Sequence, residues 1–336
     1  MRDTHRPKVV VIGGGTGSFV VLSGLKEYPM ELTALVNMAD DGGSTGQLRD
    51  DFGVLPPGDV RKCLVAMSAA PEELRELFNY RYEDGPLAGH SFGNLFLSTV
   101  EKMTHDFNES VRIASAILRI RGQVIPITLD DVRLSIAWEH HKVVVHGEGK
   151  IDVMQFGEGL KRPDLYLEPA AHINPAAAAA IKEADLVVIA PGDVYTSVGA
   201  LLIVGGVAEA LRATKAKIIY FCNLVVKPGQ TTGFSVADHA AEIERFAGGP
   251  VLDAVIYNNS QPPQMLLDKY AQAGELLVPV RESEFKTAHY TAYGRSLISH
   301  DIAVAQKGDL LAKHRSFIRH DSRAVANAVM EFLRNE

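Results

Sequence analysis

The chain has 336 residues, 46% of them hydrophobic and 22% charged, ordinary values for a globular protein with length to spare for a large core. A formal net charge of −7 argues against a non-specific nucleic-acid binder, which needs clustered Lys and Arg to neutralise phosphates. Two cysteines, Cys63 and Cys222, are too few and too far apart for a disulfide framework or a zinc site.

In chain order, the polar start from Met1 leads directly into a buried strand at Lys8–Ile12, so no signal peptide is expected. A helix then runs to about Tyr28, and Leu32–Asn37 reads as a second strand. Further, nearly all-apolar strands are expected at Leu186–Ala190, Lys217–Cys222 and Val251–Tyr257. Helices are expected at Val60–Ser68, Leu95–Met103, Ser197–Ala213 and Ser235–Ala247, with another beginning at the Asn174-Pro175 cap. This alternation predicts an α/β fold: a Rossmann-like, mostly parallel sheet with helices on both faces. Val132, Leu134, Ile136 and Trp138 alternate with Arg133, Ser135 and Ala137, which predicts a strand with one wet face, turned at Glu139–His141 into a partner at Lys142–His146. Residues from about 123 to 167 therefore read as a small antiparallel β insertion within a single domain spanning 1–336. The longest apolar stretch, Val198 to Ala210, is too short to span a bilayer and includes Glu209, so a cytoplasmic protein is expected.

Chemistry concentrates in the loops after the strands. Gly13, Gly14, Gly15, Thr16 and Gly17 stand between the first strand and its helix, where backbone amides and a helix N-terminus suit a phosphate. A dinucleotide fingerprint would have glycine at Ser18 and an acid at Asn37, and both departures weigh against an ordinary NAD site. The second loop, Asn37 to Arg49, sets Asp40 and Asp41 before Gly42, Gly43, Ser44 and Gly46. Its carboxylates, with Asp59, suit ribose hydroxyls or a magnesium-bound phosphate. Gly42–Gly46 also matches G-x-S-x-G, but Ser44 does not directly follow the strand as a nucleophile elbow requires, and no base–nucleophile pair is legible.

Three more loops repeat the design: Pro56–Asp59 before Arg61 and Lys62, Gly89-His90-Ser91-Phe92-Gly93-Asn94, and Pro191-Gly192-Asp193-Val194-Tyr195-Thr196-Ser197. Arg61 and Lys62 at a helix start oppose the dipole and are better explained by an anion. His90 with Asn94 reads as a polar contact to a ligand. Asn223 with Lys227, and Asn258, end two later strands on the same rim. Near the carboxyl end, Arg319 and His320 precede a helix capped by Asp321 or Ser322. That placement suits an anion beside Arg319 or a local pair with Asp321.

Taken together, VIGGGTGS, NMADDGGSTGQLR, PPGDVRK, HSFGN, LDDVRLS, PGDVYTS, NLVVKPGQTTGFSVADH and YNN, in that order, resemble the gluconeogenesis factor family, also called YvcK-like, of the CofD-like superfamily. The resemblance runs from about Lys8 to Phe332 and departs at Met38, where a small polar residue is the expectation. It implies a regulatory protein that binds a UDP-N-acetylglucosamine-type nucleotide sugar and serves cell shape and envelope synthesis during gluconeogenic growth. The superfamily's other branch implies a magnesium-assisted 2-phospho-L-lactate transferase, and an NAD-binding protein is the weaker alternative. On the first reading Gly13–Gly17 and Gly42–Ser44 cradle phosphate or ribose. Asp40, Asp41 and Asp59 orient hydroxyls or magnesium, and Asn223, Lys227 and Asn258 read the base or sugar. Envelope-synthesis proteins and a homodimer stay open as partners.

Overall fold

The computed structural model describes residues 6–138, 143–156, 162–272, 274–299 and 318–334. Seven strands form one wholly parallel sheet: β1 (Lys8–Gly13), β2 (Glu31–Val36), β3 (Gln123–Pro126), β7 (Leu186–Ile189), β8 (Lys217–Phe221), β9 (Ala254–Asn258) and β10 (Thr291–Arg295), in the order β10-β9-β8-β7-β1-β2-β3. Three more, β4 (Arg133–Trp138), β5 (Val143–His146) and β6 (Asp164–Glu168), form a separate antiparallel sheet with β4 in the middle. Val9–Ile12 of β1 and all of β7 are buried, as strands covered by helices on both faces must be. From β1 the chain winds outward one way through β2 and β3, then returns to β7 and winds the other way. The direction therefore reverses between β1 and β7, and open α/β sheets bind their ligands at such a reversal.

The expected parallel strands are present, with differences that have physical reasons. Gln123–Pro126, which the sequence reading places in the insertion, instead pairs in parallel with β2 as an edge of the main sheet, and the antiparallel sheet begins at Arg133. The wet face expected of β4 is interrupted, because Ser135 is buried. Its hydroxyl donates to Glu168 Oε2 at 2.7 Å and lies 2.9 Å from His146 Nδ1, so both neighbouring strands fold polar side chains over it. The turn expected at Glu139–His141 lies outside the described residues.

The helix expected at Ser197–Ala213 is broken into a wide π-type turn (Val194–Gly199), a short segment (Ala200–Leu202) and a helix from Val207 to Ala213. Gly205 leaves the helix to pair with an extended segment: Ile173 N–H donates to its carbonyl at 2.8 Å and its own N–H to Ala171 at 3.0 Å. The strand expected from Val251 begins at Ala254, since the Val251 and Leu252 amides are taken by Glu244 Oε1 at 2.9 and 3.0 Å.

The final helix, Ser322–Arg334, is capped by Asp321, whose Oδ1 accepts from Ala324 N–H at 2.7 Å. It packs on the first helix, Gly15–Leu25, where Gly24 lets the backbones meet: a Cβ there would stand 2.1 Å from the Ser322 carbonyl oxygen. Gly24→Ala tests how firmly that contact is set. Helix propensity alone would stabilise the variant by about 1 kcal/mol. The carbonyl overlap is expected to outweigh it and leave a net loss of about 1–3 kcal/mol in chemical denaturation. A midpoint equal to or above the parent's would mean that the terminal helix yields without cost.

Candidate functional site

A cleft of about 380 Å³ opens at the reversal point, over the carboxyl ends of β1, β2, β7 and β8. Two helix N-termini face it. The first follows β1: Gly14, Gly15, Thr16 and Gly17 line the wall, and Gly15 holds φ +40°, a conformation that suits glycine. Gly17 is required by contact, since a Cβ there would lie 1.6 Å from the Pro191 carbonyl oxygen in the loop after β7. Gly13 lies beneath this wall, against Ser18 Oγ and Ala190. The second N-terminus is the helix Gly43–Phe52, with Gly42, Gly43, Ser44 and Thr45 on the cleft. The first-turn N–H groups of Gly15, Thr16, Gly17, Gly43 and Ser44 make no hydrogen bond among the described residues, the condition in which helix starts bind anions.

Six carboxylates, Asp40, Asp59, Glu148, Asp152, Asp193 and Glu275, share the lining with Arg61, Lys62, Arg81, Lys227 and Arg319. Burial, then the charge of Asp59, pushes the Asp40 carboxyl up to about 6. Burial, then Asp40 and Asp152, pushes Glu148 well above the ordinary carboxylate range, which favours its protonated, hydrogen-bond-donating form. Asp152 and Asp193 share Lys227: its ammonium bonds Asp193 Oδ2 at 3.1 Å and also bonds Asp152. Burial raises Asp193, whereas at Asp152 the same burial effect is overcome by Lys227 and the carboxyl stays low. Burial works against the Lys227 charge, but the two aspartates hold it protonated.

The remaining expected residues divide between wall and support. Asn37 lines the cleft, its Oδ1 accepting from Ala39 N–H at 3.2 Å and its Nδ2 reaching the Thr196 carbonyl at 3.4 Å. Asp59 faces Gly14 and accepts from Lys62 Nζ at 3.0 Å, while Arg61 Nε donates to Asn94 Oδ1 at 2.9 Å. Asn223 and Gly192 clasp one another: Asn223 Nδ2 donates to the Gly192 carbonyl at 2.9 Å, and Asn223 Oδ1 accepts from Gly192 N–H at 3.3 Å.

Behind the wall, Thr196 supports Asp152 through a 3.3 Å hydrogen bond. His90 reaches the cleft only through Ser44, 3.0 Å from its Oγ. Tyr195 is core: its ring lies 5.2 Å from Phe156 and 6.1 Å from Phe246. Asn258 turns the end of β9 instead, accepting from Leu297 N–H at 3.1 Å and donating to the Ser260 carbonyl at 2.7 Å. Arg319 lines the cleft beside Ile318 and His320, as the fold-back of the terminal helix requires. Ser316 and Phe317 lie outside the described residues.

Asp41 turns away from the cleft. It accepts from Gly149 N–H at 2.7 Å and faces Arg133 at 3.7 Å, so the carboxylate that seems partnerless in sequence anchors the helix Glu148–Val153. Gln230 holds the other end of that helix through three carbonyls, at 2.7 Å from Ile151, 3.2 Å from Asp152 and 3.0 Å from Met154. Between these anchors Glu148 and Asp152 enter the cleft, two residues the sequence reading missed. Gly147-Glu148-Gly149 was the available signal, an acid between glycines. Among the described residues no group of three or more His, Cys, Asp or Glu side chains is placed to hold a metal ion. With Asp41 turned away, magnesium at Asp40 and Asp59 would need phosphate oxygens to complete its octahedron.

The family profile "2-phospho-L-lactate transferase CofD" matches residues 9–300. The gluconeogenesis factor of Listeria monocytogenes is 36% identical, covering 100% of this chain and 98% of its own, and that of Bacillus subtilis is 34% identical over 98% and 99%. The chain belongs to the gluconeogenesis factor family of CofD-like proteins. A crystal structure of a UPF0052 family member from Bacillus halodurans superposes with a TM-score of 0.86 at 33% identity, covering 97% of this chain and 100% of that one. Among the described residues no helix is long and apolar enough to cross a membrane.

The crowding of carboxylates at Asp40 has a measurable consequence. Its folded-state value near 6 lies above the ordinary 3.8, so its ionisation disfavours the folded state increasingly as pH rises from about 4 through 6. Asp40→Asn is therefore expected to stabilise the ligand-free protein by roughly 1–3 kcal/mol at pH 7.5 and to have little effect at pH 4. Denaturation midpoints at the two pH values check it, and equal shifts at both would contradict the electrostatic cause.

Proposed function

We propose that this family member is a cytoplasmic regulatory protein that binds a nucleotide sugar of the UDP-N-acetylglucosamine type and couples its level to cell shape and envelope synthesis during gluconeogenic growth. The observation that carries the reading is the convergence of two unpartnered helix N-termini on one cleft, with carboxylates between them and a lysine on the far wall. A diphosphate suits the N–H groups, and sugar and ribose hydroxyls suit Asp40, Asp59 and Glu148. Lys227, Asn223 and the Leu224–Val226 segment supply the mixed polar and apolar surface that a base needs. Magnesium would enter with the diphosphate, held by Asp40 or Asp59 and phosphate oxygens. Full-length relatives named for gluconeogenesis favour this reading over the transferase one.

Calorimetry with UDP-N-acetylglucosamine is expected to give a micromolar Kd, about −8 kcal/mol. No heat with any UDP sugar, together with binding of NAD or of a guanosine diphosphate ester, would overturn the reading. Arg319→Ala is expected to weaken the same titration by about 1.5–3 kcal/mol, the size of a charge-assisted hydrogen bond. An affinity within twofold of the parent would place Arg319 outside the ligand contacts.

A further inference from the structure

On the second glycine loop, four polar side chains form a chain of hydrogen bonds with a fixed direction. Arg61 Nε lies 2.9 Å from the Asn94 side-chain oxygen, Asn94 Nδ2 lies 3.3 Å from Ser44 Oγ, and Ser44 Oγ lies 3.0 Å from His90 Nδ1. Arginine has only donors, so the atom Asn94 turns to Arg61 must be its oxygen, and its NH₂ must then face Ser44. The serine oxygen accepts from that amide. Its own proton is left for the one acceptor beside it among the described residues, the imidazole Nδ1 of His90. Arg61, Asn94 and Ser44 are all buried, at 5%, 3% and 7% exposure, which leaves little freedom to reverse the chain.

Ser44 nevertheless lines the cleft, at the N-terminal turn of the ten-residue helix Gly43–Phe52, beside the open N–H groups of Gly43 and of Ser44 itself. Burial lowers the His90 pKa, with Arg81 adding to the effect and Asp51 opposing it, so the imidazole is neutral and able to accept a proton at neutral pH. This base–nucleophile pair is invisible in the sequence, where 46 residues separate its members.

We propose that Ser44 is a nucleophile activated by His90, poised to accept a phosphoryl group from a diphosphate ligand in the cleft. In the step, Ser44 Oγ attacks phosphorus and the Oγ–P bond forms. The phosphorus–oxygen bond to the leaving group breaks, and its electron pair departs with that oxygen. The Ser44 proton passes to His90 Nδ1 and from there to the leaving oxygen. No oxidant, reductant or further reactant is needed. Asn94 and Arg61 act as positioning residues: they hold the Ser44 lone pair and so aim its proton at the imidazole.

The natural phosphorus donor rests on the diphosphate reading above, but the test does not, so the two can fail separately. The full chain is incubated with an alkyl fluorophosphonate, a phosphorus electrophile that loses fluoride to an activated serine while the serine proton goes to its base. Adducts are located by intact mass and peptide mapping. A single adduct at Ser44 is expected, absent in Ser44→Ala and formed at least tenfold more slowly in His90→Gln and His90→Asn, with melting temperatures of the variants monitored alongside. No adduct at Ser44, adducts scattered over other serines, or parental rates in both His90 variants would overturn the proposal. Because the parent chain alone reports whether Ser44 is singled out, the test survives a variant that fails to fold.

Discussion

The contact of Gly17 with the Pro191 carbonyl is the constraint on which the cleft depends. The sheet reverses its winding between β1 and β7, so the loops leaving these neighbouring strands must diverge to opposite faces while starting side by side. They can do so only if one loop lacks a side chain where the other crosses, and a Cβ at Gly17 would be 1.6 Å from Pro191 O. With the loops in contact, the first helix starts directly over the reversal point and its N–H groups look into the gap. Asn37 and Asn223 brace the gap from the two flanking strands, one through the Thr196 carbonyl and the other through Gly192. Binding geometry here is thus a product of sheet topology first and side chains second.

The antiparallel insertion supplies what topology cannot. Strands of the main sheet end in Gly, Asn and Asp loops on one rim, yet the acids that close the cleft come from Glu148–Val153, a helix held outside the sheet by Asp41 at one end and Gln230 at the other. Burying Asp40 and Glu148 here disfavours their charged forms: burial, then Asp59, raises the Asp40 pKa, and burial, then Asp40, raises that of Glu148. Such strain at a site is expected when ligand hydroxyls or phosphate-bound cations complete the electrostatics, and it has no evident structural use otherwise.

What was legible in sequence and what was not follows from the range of the signals. Buried parallel strands declare themselves by local runs such as Val9–Ile12 and Leu186–Ile189, and glycine loops declare themselves because few residues fit them. The edge strands β3 and β10 were not separable from their surroundings: Gln123–Pro126 is short and ends in proline, and Thr291–Arg295 is half-exposed with a glycine inside it. The break at Gly205 was hidden for a different reason. The apolar periodicity continues across it, and the helix stops only because a distant segment, Ala171–Ile173, takes the backbone. Site membership failed in the same way. Tyr195 and Asn258 sit in loops of the right kind, but one side chain turns into an aromatic cluster and the other caps its own strand, outcomes set by packing that no local pattern encodes.

The carboxyl end shows how distant anchors set a local group. Arg319 is placed at the cleft by backbone bonds to the segment that follows β10: its carbonyl accepts from Ser299 N–H at 2.8 Å, and Asp321 N–H donates to the Leu297 carbonyl at 2.7 Å. His320, between them, lies 3.2 Å from the Cys222 carbonyl through Nε2, and burial pushes its pKa down to about 4. A neutral ring at that position must donate through Nε2 to bond a carbonyl, which fixes its tautomer and orientation. The helix that follows then packs on the helix that begins at the first glycine loop, with Gly24 at the crossing. The first glycine loop and the Arg319 side chain are thereby parts of one packed unit. On the proposed reading, a diphosphate held at that helix N-terminus and reached by Arg319 would act on both ends of this unit, so its binding and the docking of the terminal helix would favour one another.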